Sequence, residues 1–130
     1  MDAELGPDVE YYTSENMKGL PFSAAVRVGK MLYLSGQIGL DATGKLAPGG
    51  IAVETRQAME NIKATLEQYG SSLDHVVKVT VMLADMNEWA EMNEVYVTYF
   101  TRHLPARSAL GANGLALGAR VEIECLAVLR

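Results

Sequence analysis

Two short segments near the end of the chain carry side chains that could do chemistry. The first reads HLPARSAL and places one cation, Arg107, in a run of small and apolar residues. The second reads EIECLAVL and places two carboxylates, Glu122 and Glu124, in a segment that alternates like a β-strand. A guanidinium presents a planar fork of N–H donors that pairs with a carboxylate, so Arg107 is a candidate for holding a small anionic ligand. The alternatives are a structural salt bridge for Arg107 and solvated strand positions for the two glutamates.

The remaining reactive side chains indicate neither a metal nor a redox centre. The single cysteine, Cys125, excludes an internal disulfide and a thiolate cluster, and we expect it to be a buried thiol. His75 and His103 are far apart in sequence, and neither stands in a metal-ligand spacing. We therefore expect surface or packing histidines, no metal and no cofactor.

Length and charge limit the class of protein. The chain has 130 residues, enough for one core, and we divide it into residues 1–16, a tail or short edge strand, and residues 17–130, a single domain. A net charge of -5, with 11 Lys and Arg in total, makes nucleic acid an unlikely partner. The acidic N-terminus does not resemble a signal peptide, and no run reaches the roughly 20 apolar residues of a membrane span. We expect a cytoplasmic protein without a membrane partner.

The first half of the chain predicts two strands and a helix. Residues 22–39 read as two strands joined by a tight turn at Gly29-Lys30. From Ile51 to Tyr69 apolar residues recur every three or four positions, which predicts an amphipathic helix that ends at Gly70. The segment HVVKVTVMLA then alternates like a strand, and its predicted core face consists of Val77, Val79, Val81 and Leu83.

The second half predicts one more helix and two more strands. Asp85 or Asn87 can cap the helix. Its stripe, which we interpret as packing and not as a cofactor box, consists of Trp89, Met92, Tyr96 and Tyr99. An extended ARSALGA segment, a turn at Asn113-Gly114 and a final strand follow. The final strand should direct Val121, Ile123, Cys125 and Ala127 toward the helices.

This order predicts an α+β domain in which a mixed sheet carries both helices on one face. The other face would be uncovered although it is partly apolar. It would carry Tyr33, Lys78, Thr80, Met82, Glu122, Leu126 and Val128. Such a face suggests burial against further copies of the chain.

Several motifs in this order resemble the RidA (YjgF-type) family of reactive enamine and imine deaminases. They are SGQ at residues 35–37, QAMENIKATLEQYGSSLDHVVKVTVMLADM, MNEVYVTYF, PARS and VEIE, and the likeness covers roughly residues 18–129. The resemblance implies a chorismate-mutase-like fold and a homotrimer with small-molecule clefts between subunits. It also implies hydrolysis of 2-enamine and 2-imino acids, of the 2-aminoacrylate and 2-iminopropanoate type, to 2-keto acids and ammonia.

The resemblance assigns roles to four residues. Arg107 matches the arginine that holds the substrate carboxylate, and Glu122 matches the glutamate that positions the hydrolytic water. Gly36 matches the glycine whose backbone approaches the substrate nitrogen. Asn93 matches an asparagine at the cleft.

Two cleft positions depart from the family pattern. Phe22 stands where the best deaminases have a tyrosine, and Ala109 stands where cysteine is frequent. The missing hydroxyl keeps a second function open, a trimer that binds small 2-keto acids without turnover. A third, ribonuclease activity or translation inhibition, is an old association of the family that the negative charge and the lack of a recognisable histidine pair disfavour.

Overall fold

Seven strands form one mixed sheet in the computed structural model, which describes residues 8–130. The strands are β1 Val9–Tyr12, β2 Ala25–Val28, β3 Met31–Leu34, β4 Gln37–Ile38, β5 Val76–Leu83, β6 Ala106–Gly111 and β7 Val121–Val128. Their order across the sheet is β1-β2-β3-β7-β5-β6, and β4 also pairs with β7. Only the β5 and β6 pair is parallel among these strands, so the predicted mixed sheet is confirmed.

Two helices, α1 Ile51–Gln68 and α2 Trp89–Tyr96, cover one face of this sheet. The apolar stripe of α1 is buried as its periodicity predicts, with Met59 and Ile62 each 1% exposed and Leu66 fully buried. The chain leaves α1 at Gly70, which has a φ of 92° that glycine adopts without strain. From β7 the core receives the four residues that the sequence assigned to it, which are Val121, Ile123, Cys125 and Ala127. The predicted α+β architecture is therefore confirmed.

The hairpin of β2 and β3 has the predicted turn, in which Gly29 has a φ of 58°. Beyond it, β1 pairs antiparallel with β2 and forms the edge of the sheet. Residues 9–12 therefore form a short edge strand, while residues 1–7 of the proposed tail lie outside the described residues. The division between a tail and a domain at residues 16 and 17 stays a prediction.

The core face of β5 differs from the prediction at its first residue. Val76 pairs with Ala127 and Lys78 pairs with Leu126, so one extra residue is inserted between the two pairs. This β-bulge leaves Val77 43% exposed and buries Val76 to 3% exposure. The prediction of Val77 as a core residue was wrong, because simple alternation cannot register an inserted residue.

The turn at Asn113-Gly114 exists, but it does not join two paired strands. Gly114 has a φ of 97°, and a short 3-10 turn at Ala116–Gly118 follows. β6 then pairs with β5, and β7 lies on the far side of β5. The last two strands are therefore separated by one strand.

A buried carboxylate fastens α1 to the start of β7. Glu54 is 6% exposed, and its Oε1 accepts the backbone N–H of Arg120 at 2.9 Å. The side chain of Arg120 lies 3.9 Å from Glu54 and donates to Glu88 at 2.7 Å. This cluster fixes the end of β7 from which Glu122 projects.

The second face of the sheet carries no helix among the described residues. Large apolar side chains on it remain open, including Tyr33 at 43%, Val28 at 44% and Leu110 at 45% exposure. The predicted uncovered face is thus confirmed for the single chain. Within residues 8–130, none of the helices is both long and apolar enough to cross a membrane.

The bulge in β5 predicts that two adjacent valines differ in their contribution to stability. Val76→Ala should lower the free energy of unfolding by about 2 kcal/mol, because it removes buried methyl groups and leaves a cavity. Val77→Ala should change it by less than about 0.5 kcal/mol. Urea unfolding at one fixed protein concentration measures both. Equal losses for the two variants would contradict the bulge.

Candidate functional site

Arg107 lies on the helix-covered side of β6. It pairs with Val79, which is 2% exposed, so both side chains are directed toward the layer of the helices. Its Nη1 donates to Oδ1 of Asn93 at 2.6 Å. The centre of its guanidinium lies 4.8 Å from the ring centroid of Tyr96 and 5.9 Å from that of Trp89. α2 and β6 thus position one arginine together.

This arginine lines a cavity of about 480 Å³, which we call the arginine pocket. The pocket is lined by Asn93, Glu94, Tyr96, Val97, Leu104, Pro105 and Arg107. No carboxylate among residues 8–130 lies within 4.0 Å of Arg107, in contrast to Arg27, Arg102 and Arg120, which all form ion pairs. The structural salt bridge considered for Arg107 is therefore absent from the described residues, and its charge is free to meet a ligand anion.

Ala109 and Tyr96 complete the surroundings of Arg107. Ala109 pairs with Val81 two residues further along β6, on the same face as Arg107, and packs partly buried against the core. Tyr96 is 5% exposed, and its hydroxyl has no hydrogen-bond partner among the described residues. Burial raises the pKa of Tyr96 to about 12, so the hydroxyl keeps its proton at neutral pH.

Glu122 and Gly36 lie close together at a second place. We call this place, with the neighbouring segment that carries Phe22, the glutamate edge. Glu122 pairs with Ile38 of β4 on one side and with Met82 of β5 on the other. A Cβ atom on Gly36 would overlap Oε2 of Glu122, so only glycine allows the carboxylate to lie this close to the backbone.

The segment that carries Phe22 is fastened next to Gly36. The hydroxyl of Ser35 donates to the carbonyl of Ser23 at 2.5 Å, and the backbone N–H of Ser35 donates to Ala24 at 3.1 Å. Phe22 itself is 48% exposed. These two hydrogen bonds place the segment that carries Phe22 beside the segment that carries Gly36.

The arginine pocket and the glutamate edge lie on opposite faces of the sheet. Arg107 pairs with Val79 of β5. Glu122 pairs with Met82, which lies three residues after Val79 in the same strand. Residues three apart in a strand point to opposite faces, and β5 also separates β6 from β7. One small molecule cannot touch both side chains of a single chain. The structure therefore brings Arg107, Asn93 and Ala109 together, and separately Gly36, Glu122 and the Phe22 segment.

The other reactive residues of the sequence have ordinary surroundings. Cys125 is 2% exposed, and burial raises the pKa of its thiol to about 12, as expected for a packed cysteine. Glu124 projects from the helix-free face opposite Thr80. Within residues 8–130, no cluster of three or more His, Cys, Asp or Glu is arranged to hold a metal ion.

The two histidines are closer than their sequence separation indicates. His75 and His103 both line a second cavity, of about 400 Å³, near the start of β6. His103 Nε2 lies 2.7 Å from the carbonyl of Asp74, and His75 Nδ1 lies 2.7 Å from the hydroxyl of Ser72. Each ring therefore already has a local partner that explains its position.

Sequence reasoning missed the surroundings of Arg107. Trp89 was predicted to pack in the core, yet it is 43% exposed and lies over the guanidinium. The signal that could have found this contact is the spacing of Trp89, Asn93 and Tyr96 at positions i, i+4 and i+7, which places all three on one face of α2.

Comparisons with known proteins identify the family of the chain. The family model described as Endoribonuclease L-PSP matches residues 15–129. The 2-iminobutanoate/2-iminopropanoate deaminase of Mus musculus is 49% identical over 109 residues, which are 83% of this chain and 81% of that protein. The human protein of the same name is 44% identical over 109 residues, which are 83% of this chain and 80% of that protein.

Solved structures share the whole fold. The YjgF gene product of E. coli superposes with a TM-score of 0.85 at 35% identity, covering 93% of this chain and 99% of that one. RidA from an Antarctic Psychrobacter superposes with a TM-score of 0.82 at 35% identity, covering 95% of this chain and all of that one. The chain therefore belongs to the endoribonuclease L-PSP family, to which the RidA and YjgF proteins that it resembles also belong.

Proposed function

We propose that this chain is an enzyme that hydrolyses 2-imino acids, and the 2-enamine acids that isomerise to them, to 2-keto acids and ammonia. The similarity to the mouse and human 2-iminobutanoate/2-iminopropanoate deaminases carries this proposal. Arg107, which lines a cavity and forms no ion pair among residues 8–130, supports it, because a charge-assisted fork is what a short 2-imino acid needs for its carboxylate.

The reaction is an addition followed by an elimination. The oxygen of water bonds to C2, and one electron pair of the C=N bond moves to nitrogen. Ammonia then leaves with the C–N electron pair, while the hydroxyl loses its proton and becomes the keto oxygen.

Arg107 holds the carboxylate, and Glu122 takes a proton from the water and returns one to the leaving nitrogen. The backbone of Gly36 contacts the substrate nitrogen. Asn93 acts through Arg107, from which it accepts a hydrogen bond.

The opposite placement of Arg107 and Glu122 makes the assembly part of this proposal. If one substrate contacts both residues, the arginine pocket of one subunit must face the glutamate edge of its neighbour. The helix-free sheet face supplies an apolar surface for such contacts, with Tyr33 and Leu110 about half exposed. We assign the assembly to a homotrimer whose clefts lie between subunits, as the resemblance implies.

Because Phe22 replaces a tyrosine, a protein that binds small carboxylates without efficient turnover is the second candidate function. A phenyl ring cannot donate the hydrogen bond of the tyrosine that it replaces. In the second candidate, the cleft binds 2-keto acids at Arg107 and hydrolyses 2-imino acids slowly or not at all.

Ribonuclease activity has less support. The net charge is -5, and Arg102 beside the histidine cavity is already paired with Asp74 at 3.6 Å.

The proposed assembly predicts a mass in solution. Light scattering in dilute neutral buffer should give three times the mass of the 14.1 kDa chain, because the half-apolar sheet face favours association. A stable monomer at micromolar concentration would contradict the intersubunit cleft.

A second prediction separates the enzyme from the binding protein. Glu122→Gln keeps the shape of the side chain and should lower kcat for freshly generated 2-iminopropanoate, with little change in the Kd of pyruvate. Phe22→Tyr should raise kcat about tenfold for each 1.4 kcal/mol that its hydroxyl contributes in the transition state. A coupled assay of ammonia release and calorimetry with pyruvate measure the two quantities.

The outcome for the unchanged protein decides between the candidates. If it and Phe22→Tyr both fail to hydrolyse imines of several side-chain sizes while pyruvate still binds, the deaminase proposal is wrong and the binding function replaces it.

A further inference from the structure

One face of α2 surrounds a single guanidinium. Trp89, Asn93 and Tyr96 follow one another at positions i, i+4 and i+7, and all three contact Arg107. Asn93 accepts one N–H at 2.6 Å, and the two ring centroids lie within 6 Å of the guanidinium carbon. A cation at this distance from an aromatic ring is attracted by the electron density of the ring.

Trp89 is not explained by packing. It is 43% exposed, whereas Met92, three residues later in the same helix, is fully buried. A tryptophan that contributes its full side chain to the core would lose most of its exposure. The described contact of the indole is instead the charged end of Arg107.

An arginine side chain loses rotamer freedom when it is fixed in one geometry, and this loss opposes ligand binding. Contacts that fix the guanidinium before the ligand arrives remove part of the loss. In residues 8–130 no carboxylate performs this task for Arg107, so Asn93 and the two rings do it without neutralising its charge. The charge therefore remains available to an incoming anion.

We propose that Trp89 is a positioning residue for Arg107, whose indole ring, with Tyr96 and Asn93, holds the guanidinium ready for a small carboxylate. The inference rests on the proposed function of Arg107 as the carboxylate anchor. It adds a side chain that the RidA resemblance did not assign to the cleft.

The contact should act on binding and not on the chemical step. The carboxylate of a 2-imino acid remains bound to Arg107 in the substrate and in the transition state, so both lose the same interaction when Trp89 is removed. Trp89→Leu should therefore raise KM and the Kd of propanoate about two- to fivefold, the range expected for an exposed cation–π contact, and leave kcat unchanged. Trp89→Phe should fall between the two because its ring attracts a cation less strongly.

Trp89 is the single tryptophan of the chain, so its fluorescence reports on this site. Titration with propanoate, which does not absorb in the emission range, should change the emission in a saturable way. The change should disappear in Arg107→Lys. Calorimetry with propanoate then gives Kd for the variants that lack tryptophan.

Two controls separate positioning from general damage. Met86→Ala removes a similarly exposed side chain, 45% open, just before α2 and should leave Kd unchanged. Trp89→Leu introduced into Arg107→Lys should add little to the loss that Arg107→Lys causes alone, because contacting residues are not additive.

Each result has a distinct meaning. If Trp89→Leu binds propanoate as the unchanged protein does, or weakens it equally in the Arg107→Lys background, Trp89 does not position Arg107 and the inference is wrong. If Arg107→Lys itself binds propanoate normally, the proposed function of Arg107 fails, whatever the Trp89 variants do.

Discussion

The alternation of side chains along β5 places the two residues of the proposed site, Arg107 and Glu122, on opposite faces of the sheet. Val79 faces the helices, and so does Arg107, which pairs with it. Met82 faces the helix-free side, and so does Glu122, which pairs with it. Moving either residue to the other face would require a shift of register by one position, which would also expose the core residues of that strand. If one substrate contacts both residues, as we propose, the cleft must form between subunits. The partly apolar uncovered sheet face offers a surface for such contacts.

Two arginines next to α2, Arg120 and Arg107, are held by different kinds of contact. Arg120 lies between Glu54 and Glu88 and joins α1, β7 and the start of α2. Arg107 is held by an amide and two aromatic rings, and no carboxylate among residues 8–130 forms an ion pair with it. The first arrangement favours stability of the fold, and the second supports the proposed role of Arg107 in holding an anion. Both arginines are adjacent to α2, so this short helix links the structural cluster and the proposed site.

Regular patterns in the sequence predicted most of the fold. The alternation of β7 and the helical period of α1 were sufficient, because each follows from the geometry of one element. Val77 could not be placed, since a bulge depends on the pairing of β5 with β7. The exposed position of Trp89 and the shared cavity of His75 and His103 depend on how distant segments meet. The motifs indicated Arg107 and Glu122, but their separation by the sheet required the strand register.

Subunit mixing tests the central claim most directly, namely that each cleft takes Arg107 from one chain and Glu122 from another. Arg107→Lys and Glu122→Gln, each impaired alone, are refolded together in equal amounts and assayed with freshly generated 2-iminopropanoate. Random assembly should place both native residues in about a quarter of the clefts and restore about a quarter of the unchanged activity. Activity no higher than the mean of the two separate variants would show that the two residues do not act across a subunit boundary.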